Sequence, residues 1–181
     1  MKRAIIEPAV PAPEALAELK QWLAIATSRE DPALERLVAA ALEVFETFTG
    51  SLALEATCEE VLPAGGAWQC LATRPVLAVL GVDALAADGT RTPLPADGHL
   101  LELDAEGGAR IRVLRPLSSG RIAVRFVAGL AASWSGLPDS LRHGVIRCAA
   151  HLHAAAASSA EATPPAAVAA LWRPWRRLRL T

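Results

Sequence analysis

Cysteine is scarce and scattered. Cys58, Cys70 and Cys148 are the only three in 181 residues, and none forms a CxxC pair. Neither a disulfide framework nor a zinc knuckle is expected, and a reducing cytoplasm fits such usage. Lysine is nearly missing as well: Lys2 and Lys20 stand alone, and arginine supplies the remaining positive charge. That imbalance, like the abundance of alanine, reads as compositional bias rather than chemistry. No apolar run is long enough to span a membrane, because His151, His153 and Glu161 break the alanine-rich region. Glu7 and Pro8 cut short the run Ala4-Ile5-Ile6 behind Lys2-Arg3, so a signal peptide is not expected. Glycine pairs occur at Gly65-Gly66 and Gly107-Gly108, but no lysine follows either, which excludes a phosphate loop there.

What is present suits one packed domain: 52% of residues are apolar and 20% are charged. The net charge of −1 conceals a segregation along the chain. Residues 1–62 carry five basic and eleven acidic side chains, 63–109 carry two and six, and 110–181 carry eleven and two. An acidic front and a basic back allow copies to associate head to tail, or the charges intermix once the chain folds.

The segment DPALERLVAAALEVFETFTG, residues 31–50, combines start, stripe and stop signals. Asp31 is placed to cap, Pro32 suits the first turn, and Thr49-Gly50 offers a left-handed end. Leu34, Leu37, Val38, Ala41, Leu42, Phe45 and Phe48 recur at steps of three and four, which defines a helix with one buried face. A shorter helix from about Pro13 to Ile25 precedes it, with Leu16, Leu19 and Leu23 sharing a face and Trp22 beside them. Residues 1–12 read as an extended arm. From Leu54 to Gly129 the period falls to two, and Asp88-Gly89 between Val79–Ala87 and Thr90–Leu94 marks a hairpin. Pro138-Asp139-Ser140 opens a second long helix running to about Ala157, and Ala166–Leu171 is expected to be a short one. The fold class is therefore α+β. The helix pair over 13–50 and the helices over 138–171 form a helical bundle, with an antiparallel β-meander over 54–129 inserted between them and a tail over 172–181.

Within the meander, Ile111 and Val113 oppose Arg110 and Arg112, while Ile122, Val124, Phe126 and Ala128 oppose Arg121 and Arg125. One hairpin with an arginine face is the expectation. Such a face is also what a solvated sheet presents to resist edge pairing. No catalytic, cofactor or metal site is expected. His143, Cys148, His151 and His153 do not converge at about 100° per residue, and the two-histidine-plus-glutamate zinc pattern is absent. Ser133-Trp134-Ser135-Gly136 lacks the first glycine of a nucleophile elbow. Asp97, Glu102, Asp104 and Glu106 do not match the spacing of a calcium loop.

The last ten residues, WRPWRRLRLT, concentrate two tryptophans and four arginines. Trp and Arg dominate interface hot spots, and Arg pairs with phosphate. Trp172, Arg173, Trp175, Arg176, Arg177 and Arg179 are accordingly expected to bind a partner. The competing reading has Trp172 and Trp175 folded back over the helical core.

The order LKQWLAI, DPALERLVAAALEVFETFTG, a strand-rich middle, RFVAGL, LPDSLRHGVIRCAAHLHAAA and LWRPWRRLRL resembles the head–tail connector, or adaptor, family of tailed phages. The similarity is to the β-insertion type found in siphophage-like elements and gene transfer agents. It implies a structural protein and not an enzyme, at the head–tail junction of a virion or gene transfer agent particle assembled in the bacterial cytoplasm. The implied partners are the portal protein, stopper and tail proteins, further copies in a dodecameric ring, and double-stranded DNA passing without sequence specificity; no membrane is involved. Trp172 and Trp175 would anchor the docking tail to the portal or to a neighbouring subunit. Arg110, Arg112, Arg121 and Arg125 would line the channel or an interface. Two other readings are a nucleic-acid-binding regulator using the basic C-terminal third, and a small hydrolase using His143 or His151.

Overall fold

Gly50 ends helix α2 (Asp31–Thr49) in the left-handed region at φ 75°, and its N–H donates to the Glu46 carbonyl at 2.7 Å. Thr49-Gly50 is thus the stop that the sequence announces. The start differs in one detail. Glu30 holds the N-cap position without a side-chain cap bond, and the Asp31 carboxylate accepts the Lys20 ammonium at 2.6 Å. An ammonium with a full charge outcompetes the partial charges of the helix N–H groups. Lys20 comes from helix α1 (Pro13–Leu23), which ends where Ala24 turns to φ 56°.

The computed structural model describes residues 2–8, 13–155 and 164–176. The chain is α+β and divides into two compact units, Met1–Pro8 with Glu55–Gly129 and Ala9–Leu54 with Leu130–Thr181.

In the helical unit, α2 buries Leu34, Val38, Ala41 and Phe45, and α1 buries Ala15 and Leu19. Helix α3 (Asp139–Ala155) adds Leu141, Val145, Cys148 and Ala149, and helix α4 (Ala166–Trp172) adds Val168 and Trp172 to the same core. Each fully buried leucine- or phenylalanine-sized side chain contributes roughly 1.5–3 kcal/mol. Trp134 is buried as well, its indole N–H donating to Glu18 at 3.0 Å. Burial in this core pushes the Cys148 thiol up to about 11, so it stays protonated and unreactive at neutral pH. Cys58 is also buried and Cys70 is exposed. Native protein at pH 8 is expected to react with a thiol reagent once per chain, through Cys70, and the other two thiols only after denaturation. Rapid labelling of a second thiol in the native state would contradict this assignment.

The β unit holds two antiparallel sheets. The first has the order β1 (Lys2–Glu7), β2 (Ala56–Pro63), β8 (Arg121–Ala128), β4 (Val76–Leu85) and β5 (Arg91–Pro93). The second orders β3 (Gln69–Cys70), β7 (Ala109–Val113) and β6 (His99–Leu103). Asp88-Gly89 makes the β4–β5 hairpin as expected: Asp88 accepts the Thr90 N–H at 2.9 Å and Gly89 takes φ 89°. Ile122, Val124, Phe126 and Ala128 of β8, with Ile111 and Val113 of β7, are buried.

Two expectations about connectivity are corrected. The strands do not run as a meander, because β8 lies between β2 and β4, both of which precede it by dozens of residues. With both its edges taken, β8 has none left for β7, which pairs with β6 and β3 instead. The single arginine hairpin therefore does not exist. The arm over residues 1–12 is also more ordered than expected at its start, since residues 2–7 form the edge strand β1 on β2.

Candidate functional site

The four arginines of the expected channel face fall in two sheets, and three of them are engaged within the chain. Arg110 on β7 forms an ion pair with Glu102 on β6 and stacks over Trp68, 4.7 Å from the ring centroid. Arg125 on β8 lies 3.8 Å from Asp83 and opposite Glu59 on β2. Arg121 donates to the Ala86 carbonyl at 3.3 Å. Among the described residues, Arg112 is the one of the four with neither an ion pair nor a side-chain hydrogen bond.

Across the first sheet the charges alternate in sign. Arg91 on β5 grips Glu59 with two hydrogen bonds of 2.6 and 2.8 Å and approaches Asp83 at 4.0 Å. The hydrogen bond from Arg91 holds the Glu59 carboxyl below its ordinary range, and the charges of Arg91 and Arg125 add to that, against the opposing effect of burial. Arg91 is in turn held more firmly in its cationic form. A carboxyl whose pKa is lowered by folding contributes stability that is present above its unfolded pKa, near 4.5, and lost as the pH falls through its folded value. The stability difference between the native chain and Arg91→Ala is therefore expected to be present at pH 7 and to shrink below about pH 4. Urea titrations at both pH values check this; a difference independent of pH would contradict it.

A second acid is used differently. Glu60 on β2 has no exposed surface, and its carboxylate accepts three hydrogen bonds. The donors are the Ala72 N–H at 2.9 Å, the Thr73 N–H at 2.8 Å and the Thr73 hydroxyl at 2.7 Å. Glu60 thus ties the segment between β3 and β4 to the central sheet. Sequence reading missed it, because nothing local in ATCEEVLP marks Glu60 as buried: its donors, at residues 72 and 73, lie twelve and thirteen positions further on.

In the expected docking tail, Trp172 is wholly buried, so it is a core residue of its own chain and presents no surface for a partner. Its ring meets Phe45 edge-on at 5.3 Å and Phe48 at 6.2 Å. Gly144 on α3 makes room for it: a Cβ there would lie 2.3 Å from the indole nitrogen. Trp175 is half-buried and packs on the same core, while Arg176 stacks over Phe48 at 5.3 Å and Arg173 is exposed. Arg177 and Arg179 lie outside the described residues. Elsewhere in this unit, exposed Trp22 meets His143 edge-on at 5.3 Å in a groove lined also by Glu18, Gln21, Asp139, Arg142 and Ile146. Cys148 is buried and His153 lies 3.8 Å from Glu30, so these α3 side chains have separate surroundings.

No family model matches the sequence, and no curated protein does. Solved structures do match, over the full length. A chain from the neck of an empty gene transfer agent particle, computed with C6 symmetry, is 31% identical with a TM-score of 0.80; the match covers 100% of this chain and 98% of that one. Chains from the virion of a native gene transfer agent particle and from a native neck computed with C12 symmetry match with the same identity and coverage, each with a TM-score of 0.78. The class thus defined is that of structural neck components of virion-like particles. Within it, this chain belongs to the family of gene transfer agent neck proteins.

Proposed function

We propose that the chain is an adaptor subunit: copies of it form a ring, of twelve, beneath the portal of a gene transfer agent or phage particle. The ring extends the DNA channel and joins the head to the stopper and tail, and its role is structural rather than catalytic. The observation that carries this reading is the full-length likeness to chains from particle necks, one of them in a neck computed with C12 symmetry. A closed ring is built from heterologous contacts, for which each subunit must offer two different complementary faces.

The arginine arrangement supports passage of DNA better than capture. A wall that neutralises many phosphates binds tightly and releases counterions on contact. Here Glu102 and Asp83 lie beside Arg110 and Arg125, which offsets two of the four arginine charges on a channel face made from these strands. The portal contact is assigned to the arginines following Trp172, namely Arg173, Arg176, Arg177 and Arg179, with half-buried Trp175 fixing their origin. Trp172 serves as the internal root of the tail.

Full-length protein and a 1–176 truncation serve as baits in lysate of cells producing the particle, with mass spectrometry of what they capture. The cut falls after Arg176 because Trp172 and Trp175 pack on the core and Arg176 stacks over Phe48, so a cut before them would disturb the fold itself. Portal and tail proteins are expected with the full-length bait, and at least tenfold less portal with the truncation. Equal capture by both places the docking surface elsewhere. Capture of neither portal nor tail proteins, with salt-dependent retention of DNA, would favour a nucleic-acid-binding regulator.

A further inference from the structure

The five-stranded sheet carries three register irregularities, and each is occupied by a large aliphatic residue. Between Val76 and Ala78 the pairing with β8 advances by one residue on β8 and by two on β4, so Leu77 is extra. Leu80 is extra in the same way between Val79 and Gly81. On β1 the extra residue is Ile6, between Ile5 and Glu7. A bulge leaves its additional residue outside the ladder. These three are 47–56% exposed, and Ile5 beside them is 43% exposed. Of the eight large hydrophobic residues exposed among the described residues, these make up half. They lie on two strands at opposite margins of one sheet: β1 is an edge, and β5 covers β4 only at Asp83–Leu85.

Bulged edges resist continuous strand addition, which protects against open-ended edge-to-edge growth. They do not hinder packing between protruding side chains. We propose that Ile5 and Ile6 of one copy pack against Leu77 and Leu80 of the next, joining the β units around the ring; this rests on the ring reading above. Two different apolar margins on one subunit are what a heterologous interface requires, since a two-fold contact would reuse a single patch. Strand direction agrees. Within the sheet β1 is antiparallel to β2, β2 to β8 and β8 to β4, so β1 and β4 run in opposite senses. Rotation by one twelfth of a turn leaves strand direction nearly unchanged, and β1 of one copy therefore meets β4 of the next antiparallel. The size fits as well. Two residues a side is far below the roughly 20–30 of a stable free-standing complex, so this contact belongs to a ring, where closure and neighbouring contacts add to it, and not to a dimer in solution.

Cross-linking within particles tests this. Four double-cysteine variants, pairing Ile5→Cys or Ile6→Cys with Leu77→Cys or Leu80→Cys in a Cys70→Ser background, are introduced into cells producing the particle. Purified particles are oxidised and run on non-reducing gels. At least one pairing is expected to give a ladder of linked multimers of this chain, whereas the corresponding single variants, mixed in no combination, give no ladder beyond a dimer. Particles that contain the variant chains but give no ladder for any of the four would overturn the interface and leave the neck reading standing. Absence of the native chain from purified particles would overturn both. Leu77→Asp with Leu80→Asp supplies a second measurement: incorporation into particles is expected to fall at least tenfold with the melting temperature of the free protein unchanged. Incorporation at the native level would overturn the interface.

Discussion

Gly144→Ala is expected to destabilise the chain, and the same substitution is expected to stabilise it once Trp172 has been replaced by alanine. Two effects of opposite sign meet at this position. Alanine is the better helix former by about 1 kcal/mol, and Gly144 lies inside α3. Against this, its Cβ would approach the Trp172 indole nitrogen to 2.3 Å and two ring carbons to 2.9 and 3.0 Å. The ring cannot swing aside, because it is wholly buried against Phe45 and Phe48. Overpacking of this kind costs about 1–3 kcal/mol, so sterics prevail and the net change is a loss. Trp172→Ala by itself is expected to cost about 3–5 kcal/mol, the usual range for emptying a large aromatic site. In the cavity it leaves, the new Cβ has space, and only the gain in helix propensity remains. The cycle should thus show a coupling of roughly 1–3 kcal/mol. Urea unfolding followed by far-ultraviolet circular dichroism measures all four variants; additive effects would show that the indole does not occupy the Gly144 notch.

Glu60→Ala is the second large effect, and it reads out the β unit. Removing the carboxylate strands two backbone N–H groups and a hydroxyl that now donate to it. A buried donor left without an acceptor costs about 1–3 kcal/mol. The Thr73 hydroxyl can rotate toward another acceptor, and loss of a buried charge removes its desolvation penalty. The expected net loss is about 2–4 kcal/mol. Glu60→Gln should fall between: one amide oxygen can still accept both Thr73 donors, but its NH2 group then confronts the Ala72 N–H. Roughly 1–2 kcal/mol is expected there. Equal stability of all three proteins would mean that Glu60 does not hold the 72–73 segment. Amide hydrogen exchange at Ala72 and Thr73 should accelerate in the order Glu, Gln, Ala.

Elements whose signals are local were legible in the sequence. The α2 stripe and its Gly50 stop, the Asp88-Gly89 hairpin and the start of α3 at Asp139 all depend on residues within a few positions of one another. Strand partners were not legible, because the pattern of β8 says that one face is buried and nothing about which strands flank it. β7 and β8 look like a hairpin until β2 and β4 are seen to occupy both edges of β8. Trp172 illustrates the same limit at the candidate site. A tryptophan beside arginines reads as an interface anchor, and what makes it a core residue is a glycine 28 positions earlier that lacks a side chain. The alternation of Arg110 and Arg112 was readable, but the acids that answer Arg110 and Arg125 come from other strands. The resemblance to head–tail connectors rested on the order of elements, so its coarser part, a place among gene transfer agent neck proteins, holds despite a misread sheet.

The rooted Trp172 also sets a leash. With that indole locked in its notch and its guanidinium resting on Phe48, Arg176 is held at a fixed point on the helical unit. A chain covers at most about 3.5 Å per residue, so any contact made by the residue five positions beyond Arg176 must lie within roughly 17 Å of it. The acceptor proposed for Arg177 and Arg179 would have to lie inside that radius, and residues inserted after Arg176 would relax this limit without altering a single contact.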